Sequence, residues 1–169
     1  MSVLTKEVIW KEINEGRIKI EPLIHENIGP GSIDLTLSNQ IRVSKDINEV
    51  IHVNEETDYK QFTELIEIQD FYMLKPGESI LGMTNEKITL PDNICGWLQG
   101  RSRFSRLGLM VHITASFVQP GVSNKQILEI FNASPFSMHI YPGTKICQLI
   151  LQRTEGNARY EGMFKEQEL

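Results

Sequence analysis

Short apolar runs alternate with clusters of breaking residues along the chain, and only the first segment has a helical spacing. Val8, Ile9 and Ile13 fall on one face of a helix; Thr5 stands where a cap belongs and Gly16 where the helix stops. Beyond Gly16 the runs are rich in β-branched and aromatic residues. They predict strands over 32–37, 40–43, 71–74, 79–84, 94–99, 110–113, 126–132 and 145–152. Lys75-Pro76-Gly77, Leu90-Pro91-Asp92, Gln119-Pro120-Gly121 and Tyr141-Pro142-Gly143 separate these runs as turns. Many short strands with regular turns predict an all-β sandwich or barrel behind one N-terminal helix. Residues 45–70 are polar and acidic and read as a peripheral insertion or mobile arm. From Asn157 the chain is polar again, a tail that stays flexible unless a ligand or neighbouring subunit holds it. No repeat or Gly/Ser linker divides the 169 residues, so 1–169 reads as one domain.

Composition narrows the class. Apolar residues make up 40% and charged residues 23%, ordinary values for a soluble globular chain. No apolar run approaches the ~18 residues of a membrane span, and the charged N-terminus lacks the apolar core of a signal peptide. The expected compartment is the cytoplasm, with no membrane partner. Cys95 and Cys147 sit inside apolar runs and read as buried thiols. A net charge of −5 argues against nucleic acid as a partner. It leaves room for a small anion, because Arg101, Arg103 and Arg106 lie close together.

Those arginines belong to Gly100-Arg101-Ser102-Arg103-Phe104-Ser105-Arg106-Leu107-Gly108, which follows a predicted strand. If 102–107 is helical, Ser102 and Arg106 share a face, and a hydroxyl, a guanidinium and free N–H groups suit a phosphate. A solvated basic loop paired with surface acids fits the same residues. In 126–132, Ile127, Glu129 and Phe131 share one strand face and Leu128 and Ile130 the other, so the strand reads as covered on both sides. A carboxylate buried there is either paired with a structural arginine or is an acid/base tuned by burial and a cation. His112, alone among apolar residues, reads as a satisfied core histidine. Asp34 anchors a loop or helps hold a metal–phosphate complex. The histidines show no metal-ligand spacing, and the H-x-E with P-C-x-x-C pair of zinc nucleobase deaminases is absent.

The run from Trp97 to Ala115 resembles the core signature of the dCTP deaminase family. Gly31-Ser32-Ile33-Asp34-Leu35, Pro120-Gly121, Leu128-Glu129-Ile130-Phe131-Asn132 and Pro142-Gly143-Thr144-Lys145-Ile146-Cys147-Gln148-Leu149 extend the resemblance over most of the chain; 45–70 is its weakest part. It implies a distorted β-barrel or jelly-roll related to trimeric dUTPases, with active sites between subunits of a homotrimer. It implies hydrolysis of dCTP to dUTP and ammonia, feeding pyrimidine deoxynucleotide synthesis, without zinc and with Mg2+ accompanying the triphosphate. Glu129 would be the acid/base and Arg106 would orient it. Ser102 and the backbone at Ala115 would position water and ring. Arg101, Ser102, Arg103 and Arg106 lie where the family grips phosphates, and Thr114 and Gln119 fall at nucleotide-contacting positions. Arg159 and Tyr160 resemble the pair in the tail that closes over the nucleotide. Relatives are inhibited by dTTP, and 112–115 resembles the part that rearranges. Three departures stand out: Arg103 for a common serine, Gln119 for an aspartate that contacts the sugar, and Met163 near an expected glutamine. The alternatives are a dUTPase or bifunctional enzyme releasing dUMP and pyrophosphate, and a non-catalytic nucleotide-binding trimer.

Overall fold

A computed structural model describes residues 2–162 with Lys165, Gln167 and Leu169. Helix α1 (Lys6–Asn14) buries Ile9 and ends before Gly16, whose φ of +71° suits glycine. Thr5 occupies the N-cap position, but its side chain makes no capping bond. Its carbonyl instead accepts from the Ile9 amide at 2.8 Å. The inner face of α1 also carries Glu12, 1% exposed, which accepts from Arg17 Nε at 2.6 Å and Arg153 Nη2 at 2.5 Å. The Arg17 bond, reinforced by Arg153 against the opposing effect of burial, holds the Glu12 carboxyl at about 2.

The strands are β1 (Lys19–Glu21), β2 (Ile33–Ser44), β3 (Thr63–Glu67), β4 (Tyr72–Leu74), β5 (Ser79–Thr89), β6 (Ile94–Gly100), β7 (Leu109–Val111), β8 (Phe117–Val118), β9 (Ser123–Asn132), β10 (Met138–Ile140) and β11 (Lys145–Arg153). A four-residue helix, α2 (Ser102–Ser105), sits between β6 and β7. Nine strands form one antiparallel sheet in the order β7-β9-β5-β2-β11-β6-β8, with β1 added to β5 and β3 to β2; β4 and β10 pair separately. Long strands change partner along their length, and the register slips at Leu37/Ile41, Met83/Lys87 and Lys145/Cys147. Such bulges bend a sheet, and here they curl it into the distorted barrel the resemblance implies. Leu35, Leu37, Ile41, Ile88, Leu128, Ile130, Leu149 and Leu151, all fully buried, fill it.

Several boundaries differ from the sequence pattern for identifiable reasons. The runs 32–37 and 40–43 form one strand, kinked where Ser38 Oγ accepts from the Gln40 amide at 3.2 Å. Strand β5 continues past residue 84 because Thr84 and Glu86 are buried and satisfied. Glu86 takes the Thr36 amide at 2.9 Å and hydroxyl at 2.8 Å. Residues 45–70 are not wholly an arm: β3 pairs with β2 over five residues, and a 3-10 turn, Tyr59–Gln61, precedes it.

Candidate active site

Glu129 lies in β9, where Leu128 and Ile130 face the core at 0% exposure. The opposite face, Ile127, Glu129 and Phe131, is only half-buried. This corrects the expectation of a strand covered on both sides within one chain: the Glu129 side chain is 28% exposed. Its register partner is Leu81 of β5, and Leu81 in turn pairs with Arg42 of β2.

The other neighbour is the segment after β7. The His112 amide donates to the Glu129 carbonyl at 2.8 Å, and His112 then adopts a φ of +76°, a left-handed conformation unusual outside glycine. That turn ends β7 earlier than the pattern predicts and folds 113–115 back over the carboxylate. Oε2 accepts from the Ile113 amide at 3.0 Å and the Thr114 amide at 2.6 Å, and Oε1 from the Thr114 hydroxyl at 2.7 Å. Burial alone would raise the Glu129 carboxyl. The Thr114 hydroxyl and amide, a protonated His112 and the Ala115 amide outweigh it, and the group is held below the ordinary carboxylate range. The His112 side chain is 4% exposed, and its Nδ1 lies 3.8 Å from Oε2 without a hydrogen bond. It is therefore not the satisfied core histidine that its surroundings suggest. Burial pushes the imidazole down, against the pull of the Glu129 charge.

Glu129 and His112 open into a cleft of about 210 Å³, lined also by Tyr59, Leu81, Phe117, Gln126 and Gln167. An adjoining cavity of about 180 Å³ shares Ala115, Phe117, Gln126 and Gln167 and adds Gln119, Asn124 and Tyr160. The tail is tied beside it. The Ala158 amide donates to the Asp92 carbonyl at 2.8 Å, Arg159 Nε pairs with Asp92 Oδ1 at 3.1 Å, and the Tyr160 amide donates to the Pro120 carbonyl at 3.0 Å. Part of the tail expected to be flexible is thus held by the chain itself. Met163 lies outside the described residues. Gln167 supplies an amide in the cleft, its Oε1 accepting from the Ile127 amide at 3.2 Å.

The arginine turn is helical where the spacing placed it: the Arg106 amide reaches the Ser102 carbonyl at 3.3 Å. Arg101 is committed elsewhere, to Asp34 Oδ2 at 3.1 Å and the Lys145 carbonyl at 3.1 Å. Asp34 is thereby an anchor for the turn. Ser102, Arg103 and Arg106 are exposed. Among the described residues, Arg106 forms no ion pair with Glu129 inside the chain; the carboxylate is held by 112–115 instead. The structure thus joins Glu129 with Thr114 and Ala115, and Gln119 with Tyr160, and leaves the arginine turn apart. Tyr59, Phe117, Gln126 and Gln167 have no motif marking them. Among the described residues, no three His, Cys, Asp or Glu side chains are placed to hold a metal ion, and no helix is long and apolar enough to cross a membrane.

Comparison with known proteins agrees with this architecture. The model of the family described as dCTP deaminase-like matches residues 3–154. A Mycobacterium avium protein named "dCTP deaminase, dUMP-forming" is 39% identical over 160 residues, covering 94% of this chain and 84% of the relative. One of the same name from Kocuria rhizophila is 36% identical over 143 residues, covering 83% and 74%. The crystal structure of 2'-deoxycytidine 5'-triphosphate deaminase from Agrobacterium tumefaciens superposes with a TM-score of 0.71 at 18% identity, over 90% of this chain. This chain spans about half of that longer one, 48%, so the likeness speaks to the fold. With the family model matched along nearly its whole length, the chain belongs to the dCTP deaminase-like family.

Proposed function

We propose that the chain, one domain over 1–169, is a cytoplasmic homotrimeric dCTP deaminase that releases dUTP and ammonia. One observation carries the reading: an ionised carboxylate, Glu129, at the floor of an aromatic-lined cleft that continues into the Gln119–Tyr160 cavity. Such a group can accept a proton from water as the water oxygen attacks C4 of cytosine. Glu129 passes that proton to N3, then takes the second proton from the new C4 hydroxyl and delivers it to the amine as the C4–N bond breaks and C4=O forms, so that dCTP and water become dUTP and ammonia. Tyr160 and Gln119 suit the sugar side. Ser102, Arg103 and Arg106 suit the triphosphate, which brings Mg2+ as part of the substrate; Arg101 holds their turn through Asp34. No step calls for zinc.

Among the described residues Arg106 reaches no carboxylate, so the proposed site takes Arg106 and Ser102 from an adjoining subunit. The half-open face of β9 supports this, because a strand face of Ile127 and Phe131 gains by being covered. The three hydrogen bonds from Ile113 and Thr114, with the Ala115 amide as a fourth donor, occupy Glu129 in the present arrangement. Attack on C4 therefore requires 112–115 to release a lone pair, and dTTP would inhibit by favouring the closed loop.

The relatives' name, dUMP-forming, favours a second reading in which dUTP is hydrolysed further to dUMP and pyrophosphate. Against it, the residues lining the Gln119–Tyr160 cavity offer amides and no carboxylate to activate a second water. The deciding experiment incubates pure protein and Mg2+ with dCTP and, separately, with dUTP. Ammonia and dUTP from the first, with dUTP stable in the second, is the expected result. Pyrophosphate from dUTP establishes the second reading. No ammonia from dCTP together with no pyrophosphate from dUTP refutes both, leaving a non-catalytic nucleotide-binding trimer.

A further inference from the structure

The cleft above Glu129 and the Gln119–Tyr160 cavity meet at Ala115, Phe117, Gln126 and Gln167. Gln126 and Gln167 each bring a side-chain carbonyl to that junction. Gln167 commits its Oε1 to the Ile127 amide at 3.2 Å. Gln126 differs: its Nε2 donates to Asn124 Oδ1 at 2.6 Å, and its Oε1 has no hydrogen-bond partner among the described residues. Gln126 is only 6% exposed. Among the described residues, the fully enclosed side-chain atoms without a partner are Asn27 Oδ1, Arg42 Nε and His112 Nδ1, and Gln126 Oε1 is not one of them. The free oxygen is therefore reached from the cavities that Gln126 lines.

Alternation along β9 puts Asn124, Gln126, Leu128 and Ile130 on one face, the face that fills the barrel. A polar pair is tolerated there only when it is satisfied. The means is the slip between β5 and β9 at Met83/Lys87. The Gln126 amide leaves the ladder and donates to the hydroxyl of buried Thr84 at 2.9 Å, and such bulges re-aim side chains. The orientation of the two side-chain amides then follows from one end. Lys165 offers a carbonyl, which can only accept, so Asn124 Nδ2 donates to it at 3.3 Å. That turns Asn124 Oδ1 toward Gln126, which must meet it with Nε2. Gln126 Oε1 is what remains, an acceptor set in place by the tail through these two bonds.

We propose that Gln126 Oε1 accepts a hydrogen bond from the 3′-hydroxyl of the nucleotide and makes the enzyme selective for it, with Asn124 as the positioning residue. This rests on the deaminase reading. dCTP carries two hydrogen-bond donors, the exocyclic amine and the 3′-hydroxyl; its ring and its ionised triphosphate otherwise offer acceptors. The amine is engaged at Glu129, three residues along β9 from Gln126 and so about 10 Å away, a span a nucleoside bridges. An unused acceptor at the junction has only the 3′-hydroxyl left to take, whichever way the ring is turned about its C4–N1 axis. Gln119 shares the sugar-side cavity but is exposed, so water replaces a bond it loses. Gln126 is buried, and a nucleotide without the hydroxyl leaves its oxygen unpaired, the circumstance in which discrimination is large. dTTP carries the same hydroxyl and meets the same contact.

The test measures kcat/KM for dCTP and for 2′,3′-dideoxy-CTP with intact wild-type protein and with Gln126→Met, Gln126→Leu and Asn124→Ala. The wild type is expected to prefer dCTP by about tenfold or more. Gln126→Met and Gln126→Leu should lower the dCTP to dideoxy-CTP ratio by about tenfold, and Asn124→Ala should move it in the same direction by less. Loss of a merely structural contact would lower both substrates together and leave the ratio fixed. Equal use of the two nucleotides by the wild type overturns the role of Gln126 alone, as does an unchanged ratio in both Gln126 variants with dCTP still deaminated. Wild-type protein that releases no ammonia from dCTP overturns the deaminase reading and this role with it.

Discussion

Replacing Thr114 by valine isolates the effect of one hydrogen bond on the proton affinity of Glu129. Valine keeps the β-branched shape and the backbone donor but removes the hydroxyl that reaches Oε1 at 2.7 Å. A hydrogen bond to an ionised group contributes about 1.5–3 kcal/mol, equivalent to about one to two pKa units. Because the carboxylate is 28% exposed, water screens and partly replaces the lost donor, and about one unit is expected. The direction follows from the ionised form being the base. In the wild type the carboxyl is held below its ordinary range, so kcat/KM stays flat as pH falls from neutral and declines only below that range. In Thr114→Val the carboxyl moves up and the decline begins about one pH unit sooner. Ammonia release at fixed ionic strength between about pH 3 and 7 reads the limb. Thr114→Ser should restore the wild-type profile. Superimposable acid limbs for wild type and a folded Thr114→Val protein would refute the idea that 112–115 sets this pKa.

Three further outcomes are expected. Mixing Glu129→Gln with Arg106→Ala subunits, each inactive alone, should restore about a quarter of wild-type ammonia release, since one site in four of a randomly mixed head-to-tail trimer combines both intact residues; no recovery would place the two groups in one chain. Glu12→Gln removes a carboxyl that folding lowers from 4.5 to about 2, which converts to about 3.4 kcal/mol. Exposed guanidinium partners reduce this to about 2 kcal/mol. That stabilisation is present above about pH 4.5 and fades as pH falls toward 2, so denaturant midpoints at fixed protein concentration should differ at pH 7 and converge in acid. Gly121→Ala places a Cβ at 2.9 Å from Arg159 Cγ at a φ of +75°, so stability should fall by about 1 kcal/mol or more and nucleotide affinity should weaken as the tail shifts, as seen by calorimetry.

What the sequence conceals here is decided by register. Strands β2, β5, β6, β9 and β11 are legible because their apolar positions recur along the chain itself. Strands β1, β3, β8 and β10 run for only two to five residues, with too few positions to show a period. Glu129 can be singled out as a carboxylate in an apolar strand, and Ser102 with Arg106 as a pair one helical turn apart. Nothing local shows that 45–70 will bring Tyr59 to the same cleft, because that depends on Arg42 pairing with Leu81 and Leu81 with Glu129 across three strands. The missing tail glutamine is a similar case. Sought just after Tyr160, it has no counterpart there, while Gln167 reaches the cleft by a longer path. His112 reverses the lesson: its apolar neighbours describe its burial correctly, and only the φ of +76° reveals that it turns the loop onto the acid. Residues that touch the cleft from distant strands thus carry no motif, and the same is expected of the groups that a neighbouring subunit would bring to the open face of β9.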